Sequence, residues 1–328
     1  MMRSINHCKR TLTLKESTTS LPLLRTMLLI LFGSTMFSMA EQLQVETTGP
    51  KKGVLFIHGG GKLDSREFVN LVKKSTAKKQ PVIRVISTAQ GRRRAAGFKK
   101  GSPFRTVNVL KKGYKLKHVT ELYTLSKKEA NTPAFFEQID SADAVFISGG
   151  NQTYLTDAFL GTESFAALER LLERGGVIGG SSAGAQVMSS FMTRGDYTRR
   201  RILGDTKHQE GFSFVENSVF DVHVEERNRE KHLLQVFRAK KSQLQDKSLN
   251  PLDLLGIGID QGTAIVVTQD QFKVTGSGQI YLFNARQWKD DPDSWTYQTL
   301  PSGARFDMKL RQVIESPAKS SEAKPASK

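Results

Sequence analysis

The chain alternates short, wholly apolar runs with stretches whose apolar residues fall at helical spacing. "GVLFIHGG" (53–60) predicts a buried strand ending in glycines. "PVIRVIST" (81–88), "VTELYTL" (119–125), "DAVFISGG" (143–150) and "GVIGGSS" (176–182) predict four more strands. Between them, "SREFVNLVKKSTA" (65–77) sets Phe68, Leu71 and Val72 on one helical face. "AFFEQIDSA" (134–142), "QTYLTDAFL" (152–160) and "SFAALERLLERG" (164–175) predict further helices, the last stopped by Gly175. Strands that are apolar throughout, separated by helices, imply a parallel sheet covered on both faces.

Beyond about Gly195 the pattern changes. "FSFVENSVFDVHV" (212–224) predicts extended chain, and "EERNREKHLLQVFRAKK" (225–241) a charged amphipathic helix. "LLGIGID" (254–260), "TAIVVTQ" (263–269), "QFKVTG" (271–276) and "GQIYLFNA" (278–285) predict strands joined by short turns. There is no internal repeat. The expectation is one α/β domain over 41–312, whose C-terminal half adds strands to the same sheet.

Composition trims the two ends. Residues 1–26 carry Arg3, Lys9, Arg10, Lys15 and Arg25, followed by the apolar run "MLLILFGSTMF" (27–37) and "SMA" (38–40). A charged segment, a short apolar run and a small-x-small site predict a secretory signal (1–40) cleaved near Ala40. Met27 is an alternative start, and an uncleaved membrane anchor the alternative fate. The expected location is therefore the periplasm or the extracellular space. "ESPAKSSEAKPASK" closes the chain, and 313–328 is expected to be a disordered tail. The only cysteine, Cys8, falls in the signal, so the remainder has no disulfide and no thiol nucleophile.

The net charge of +17 falls to +13 once residues 1–40 are set aside. Between Lys73 and Lys128 stand 17 Lys or Arg and one acid, Glu121. This basic segment suits either a solvated face or an anionic surface partner. No aromatic ladder interleaves with it, so no specific nucleic acid is expected. The histidines at 58, 118, 208, 223 and 232 lack close ligand spacing, so no metal is expected, nor any other cofactor.

Chemistry enters at "GGSSAGA" (179–185). Gly180-x-Ser182-x-Gly184 has the spacing of a nucleophile elbow, where small neighbours let a tight strand-to-helix turn present a hydroxyl. The same spacing also suits a plain glycine-rich turn. In parallel sheets ligands bind beyond the carboxyl ends of the strands. Three such ends are rich in glycine or polar residues: "HGGGK" (58–62), "SGGNQT" (148–153) and the elbow. Asn151 there is either part of an oxyanion hole or a helix cap.

Four segments in order, "FISGGNQTYL", "GGSSAGA", "FDVHVEERNR" and "LGIGIDQGTAIVV", together resemble the cyanophycinase and aspartyl dipeptidase family of serine peptidases. The similarity covers most of 53–285. It implies a flavodoxin-like α/β sheet with helices on both faces, related to class I glutamine amidotransferases. It implies Ser182 as nucleophile, His223 as general base, and the Asn151 and Ala183 amides as oxyanion donors. Gln152, Asp221, Arg227 and Arg229 match residues that line the pocket for a β-aspartyl-arginine unit. The implied partner is a peptide with an aspartyl linkage; a homodimer is the expected assembly.

The departures are specific. Val222 stands where the family has Gln, Glu225 and Glu226 add negative charge, and His232 replaces an arginine. Gln261 stands where the family has the Glu that orients the histidine. Removing the charge at a comparable triad position costs about 10⁴-fold in kcat. Asp260 is adjacent, but on a strand it should face the other way. The sequence thus implies an exported serine peptidase acting through an acyl-enzyme on β-Asp-Arg, isoaspartyl or α-aspartyl bonds. Two alternatives remain: a catalytically weakened or non-catalytic peptide- or anion-binding protein on the same fold, and an α/β-hydrolase esterase. The esterase fits poorly, because the last histidine precedes about four strands and "HGGG" lies too far upstream.

Overall fold

A computed structural model describes residues 48–317 apart from 62–64, 92–104, 195–201 and 204–205. The expected signal, most of the arginine-rich stretch 91–101 and the last eleven residues lie outside the described residues.

Five strands follow the apolar runs: β1 (Val54–His58), β2 (Ile83–Ile86), β3 (Val119–Leu122), β4 (Ala144–Ile147) and β5 (Val177–Ser181). They pair in parallel in the order β3-β2-β4-β5-β1. Alternate residues serve opposite faces. Leu55 and Ile57 enter one core cluster, and Phe56, between them, enters another. The second cluster is closed by α1 (Ser65–Thr76), which contributes Phe68, Val69 and Val72. The first is closed by α2 (Pro133–Asp140), α3 (Thr153–Phe159) and α4 (Glu163–Glu173). Pro133 opens α2, where its missing N–H costs nothing. Thr162 caps α4 by accepting the Phe165 N–H. Ala167, Leu168, Leu171 and Leu172 of α4 are buried, each leucine contributing about 1.5–3 kcal/mol.

The C-terminal half does not simply extend this sheet. β9 (Thr263–Thr268), β10 (Gln271–Gly276), β13 (Arg305–Asp307) and β14 (Gln312–Glu315) add to it antiparallel, giving nine strands. β6 (Ser189–Phe191), β7 (Val215–Val222), β8 (Leu255–Ile259), β11 (Gln279–Asn284) and β12 (Gln298–Pro301) form a second, five-stranded sheet. The chain passes between sheets at Asp260–Gly262 and again at Ser277–Gly278. Both sheets supply the larger core cluster, with Ile178 and Ile265 from one and Phe220, Ile257 and Ile280 from the other.

Two further expectations are corrected. Residues 313–315 are not tail, because Gln312–Glu315 pairs with β13. The helix expected over 225–241 is broken. Glu225–Arg227 is one 3₁₀ turn, Asn228 turns left-handed (φ 51°), and only Leu234–Phe237 is α-helical. The cause is Arg229, which is buried rather than carried on an exposed helical face.

Lys78 and Lys79 precede β2, and Lys115 and Lys117 precede β3. Gln80 joins the two loops: it donates to the Lys115 carbonyl and accepts the Lys117 N–H. These four lysines lie at the amino end of the parallel strands, whereas Lys127 and Lys128 follow β3 at its carboxyl end. Ser182, after β5, lies at the carboxyl end. Among the described residues no helix is long and apolar enough to cross a membrane.

Candidate active site

Ser182 sits between β5 and the short helix α5 (Ala183–Gln186) with φ 56° and ψ −116°. A non-glycine residue there is strained by about 1–3 kcal/mol. The turn is possible only with small neighbours. A Cβ on Gly184 would lie 2.2 Å from the Ile147 carbonyl oxygen. The strained turn presents the hydroxyl, half-buried and reachable, at the carboxyl edge of the sheet.

His223 follows β7 in the other sheet, also at positive φ (57°). Its Nε2 is 2.7 Å from Ser182 Oγ. Gln261 follows β8, and its amide nitrogen stands 2.8 Å from His223 Nδ1. Asp260 turns away, its two oxygens accepting the Glu225 and Gln279 N–H groups.

One loop ties these three segments together. Successive carbonyls after β1 hold each segment in turn: His58 accepts the Ser182 N–H, Gly59 the His223 N–H and Gly60 the Gly262 N–H, each at 3.0 Å. Gly60 (φ 106°) also makes room for the base, since a Cβ there would fall 2.1 Å from His223 Cε1. His58 Nδ1 accepts the Gly60 N–H at 3.1 Å and lies 3.1 Å from Ser181 Oγ. "HGGGK" is a glycine-rich strand end in the sequence, and nothing local signals that it clamps three distant segments.

The oxyanion expectation is half corrected. The Asn151 N–H donates to the Ala89 carbonyl at 2.8 Å and is not open to a ligand. The Asn151 side chain instead caps α3, accepting from the Thr153 N–H and hydroxyl. Among the described residues, the Ala183 N–H and the Gly150 N–H, one residue upstream of Asn151, donate to no protein acceptor. Gly149 packs against the nucleophile, a Cβ there falling 3.1 Å from Ser182 Cβ.

The model of peptidase family S51 matches residues 105–275, which include Ser182, His223 and Gln261. The chain belongs to peptidase family S51. A cyanophycinase from Geminocystis herdmanii is 28% identical over 155 residues, 46% of this chain and 52% of that protein. The chain thus matches about half the length of this curated relative. A crystal structure of a peptidase from an acI-B1 Actinobacterium superposes with a TM-score of 0.55 at 22% identity, over 79% of this chain and 98% of that one. That likeness shows a shared α/β fold.

The residues expected to line a substrate pocket in this S51 chain are mostly sealed. Gln152 is buried, and its amide donates to the Thr193 carbonyl. Asp221 is 1% exposed. One of its oxygens accepts from Arg229 Nη1 (3.2 Å) and the Val222 N–H, and the other lies 3.0 Å from His232 Nδ1. Arg229 and His232 are buried with it. Arg227, half-buried, is the most accessible of the four. The arginines and Asp221 bear on the base electrostatically. Burial is the main cause that lowers the His223 pKa to about 4; Arg227 and Arg229 push it the same way, and Asp221 opposes them. Burial likewise lowers His58 to about 4. His232 in this network was visible beforehand only as a departure from the family's arginine. No group of three potential metal ligands occurs among the described residues.

Proposed function

We propose that this S51 chain is a serine peptidase of cyanophycinase-like type, cleaving aspartyl peptide bonds. The observation that carries this reading is the 2.7 Å contact between His223 Nε2 and Ser182 Oγ on a strained elbow. A serine hydroxyl becomes nucleophilic when a neighbouring imidazole takes its proton. Ser182 Oγ bonds to the peptide carbonyl carbon as its proton passes to His223. The developing oxyanion is met by the Ala183 N–H and, in place of Asn151, the Gly150 N–H. The C–N bond then breaks, the leaving amine takes the proton from His223, and water hydrolyses the acyl-enzyme by the same route.

The fold supports the amidotransferase-like comparison. The order β3-β2-β4-β5-β1 is the flavodoxin order with the chain's first strand standing where the last would be. Export after cleavage near Ala40 belongs to the same proposal. So does an anionic partner at the amino-end lysines, which would leave the carboxyl end of the sheet open to substrate.

The deciding experiment incubates the full chain with a β-Asp-Arg polymer, an isoaspartyl peptide and an α-aspartyl dipeptide, reading products by mass. Cleavage of one of them, reduced about 10⁴-fold or more in Ser182→Ala, is the expected result. No Ser182-dependent cleavage of any would favour the second reading, a peptide-binding protein. The observation behind that reading is Gln261, whose uncharged amide stands where a triad carboxylate would be.

A further inference from the structure

We propose that Gln261 is a positioning residue that holds His223 without charging it. The imidazole is then free to exchange between its two tautomers, and the working range of the site extends toward acid. The proposal rests on the serine peptidase reading above. A carboxylate offers only acceptors, so it admits only the Nδ1–H tautomer, the one whose Nε2 can take the serine proton. An amide offers a donor and an acceptor at the same reach. As found, the Gln261 nitrogen faces Nδ1. With that N–H donating, the ring proton sits on Nε2 and points at Ser182 Oγ, so the base is idle. A half-turn of the amide brings its oxygen to Nδ1–H and frees Nε2.

Among the described residues, no carboxylate accepts a hydrogen bond from the ring in place of the missing charge. From the β8–β9 turn, Asp260 is spent on the Glu225 and Gln279 N–H groups. From β7, Asp221 is spent on Arg229, His232 and the Val222 N–H. Glu225 and Glu226 have exposed side chains. From β1, His58 is buried with its Nδ1 on the Gly60 N–H. After β5, the Ser182 hydroxyl faces the ring. Arg227 and Arg229 are the cations that bear on His223, so the surroundings oppose a second positive charge on the ring. The lowered pKa of His223, about 4, agrees in direction. A folded-state pKa below the ordinary 6.5 keeps the ring neutral, and able to act as base, down to about pH 4. A carboxylate at 261 would raise that pKa and bring the acid limb up with it.

The test labels the full chain with ¹⁵N-histidine and follows the His223 nitrogens against pH, assigned by their loss in His223→Gln. Both tautomers populated at neutral pH, with protonation well below pH 6.5, is the expected result. In Gln261→Glu the ring should collapse to the Nδ1–H tautomer and titrate about two units higher. The kcat/KM profile should follow: activity at pH 5 relative to pH 7.5 changes by about twofold or less in the wild type and falls about tenfold or more in Gln261→Glu. A single Nδ1–H tautomer in the wild type, or an unchanged His223 titration in Gln261→Glu, would overturn the proposal. The wild-type spectrum decides even if the variant does not fold. The expected spectra with no cleavage at any pH would uphold the role of Gln261 and reject the peptidase reading.

Discussion

The two sheets contribute differently to the site. The nine-stranded sheet supplies the nucleophile on a turn whose shape is written locally, in Gly180-x-Ser182-x-Gly184. The five-stranded sheet supplies the base and its amide partner, each just past a strand end, with no local motif of comparable strength. They meet because the loop after β1 binds both through consecutive carbonyls. One sheet makes a reactive group available, the other makes it reactive, and the precision of the pair rests on main chain. A polar side chain can be exchanged within a hydrogen-bond's reach, whereas backbone carbonyls at fixed spacing set both register and distance.

Gly60→Ala should break this meeting most severely. Its new Cβ would occupy the place of His223 Cε1 and push the ring off Ser182. Misplacement by about 1 Å can cost about 10²-fold. We expect a kcat loss of about 10²-fold or more with an unchanged circular dichroism spectrum; full activity would show that the loop does not position the base.

Asp221→Asn attacks only the five-stranded side. It removes the buried carboxylate that faces Arg229 Nη1 and His232 Nδ1, and breaking such a buried ion pair should destabilise the fold by about 3–5 kcal/mol, read from urea unfolding. A loss under about 1 kcal/mol would mean that the network is not a structural support of the base.

A gentler probe acts on both sides of the meeting at once. His58 and His223 both have folded-state pKa values near 4, below the 6.5 of an unfolded histidine. Between those values the unfolded chain binds more protons, so stability is fully present above about pH 6.5 and declines toward pH 4. The slope is about 1.4 kcal/mol per pH unit for each histidine, and His223→Gln should remove its share. A flat urea midpoint across that window would contradict the buried, neutral state of both rings.

Much of this was legible in the residues. The five parallel strands are continuous apolar runs, a pattern that requires cover on both faces, and helices of matching period stand between them. Ser182 was legible because an elbow is a local constraint, and His223 because a shared motif register marks it. Asn151 misled because a backbone N–H cannot be read from its own side chain. Its partner, Ala89, lies in the 3₁₀ turn Thr88–Gln90 after β2, far away in the chain. The broken helix at 225–241 misled for a related reason: its charged period suits solvent, but Arg229 is drawn inward by Asp221, eight residues before it.

The sequence by itself determined the parallel core, the nucleophile turn and the uncharged residue at 261, because each depends on neighbours along the chain. Only the tertiary structure decided three other things. The later strands divide between two sheets. The loop after β1 clamps Ser182, His223 and the turn bearing Gln261. Asp221 is sealed by Arg229 and His232 rather than open to a ligand. Each of these depends on backbone groups or buried charges finding partners far away in the chain, and such pairings are settled only when the two sheets close on one another.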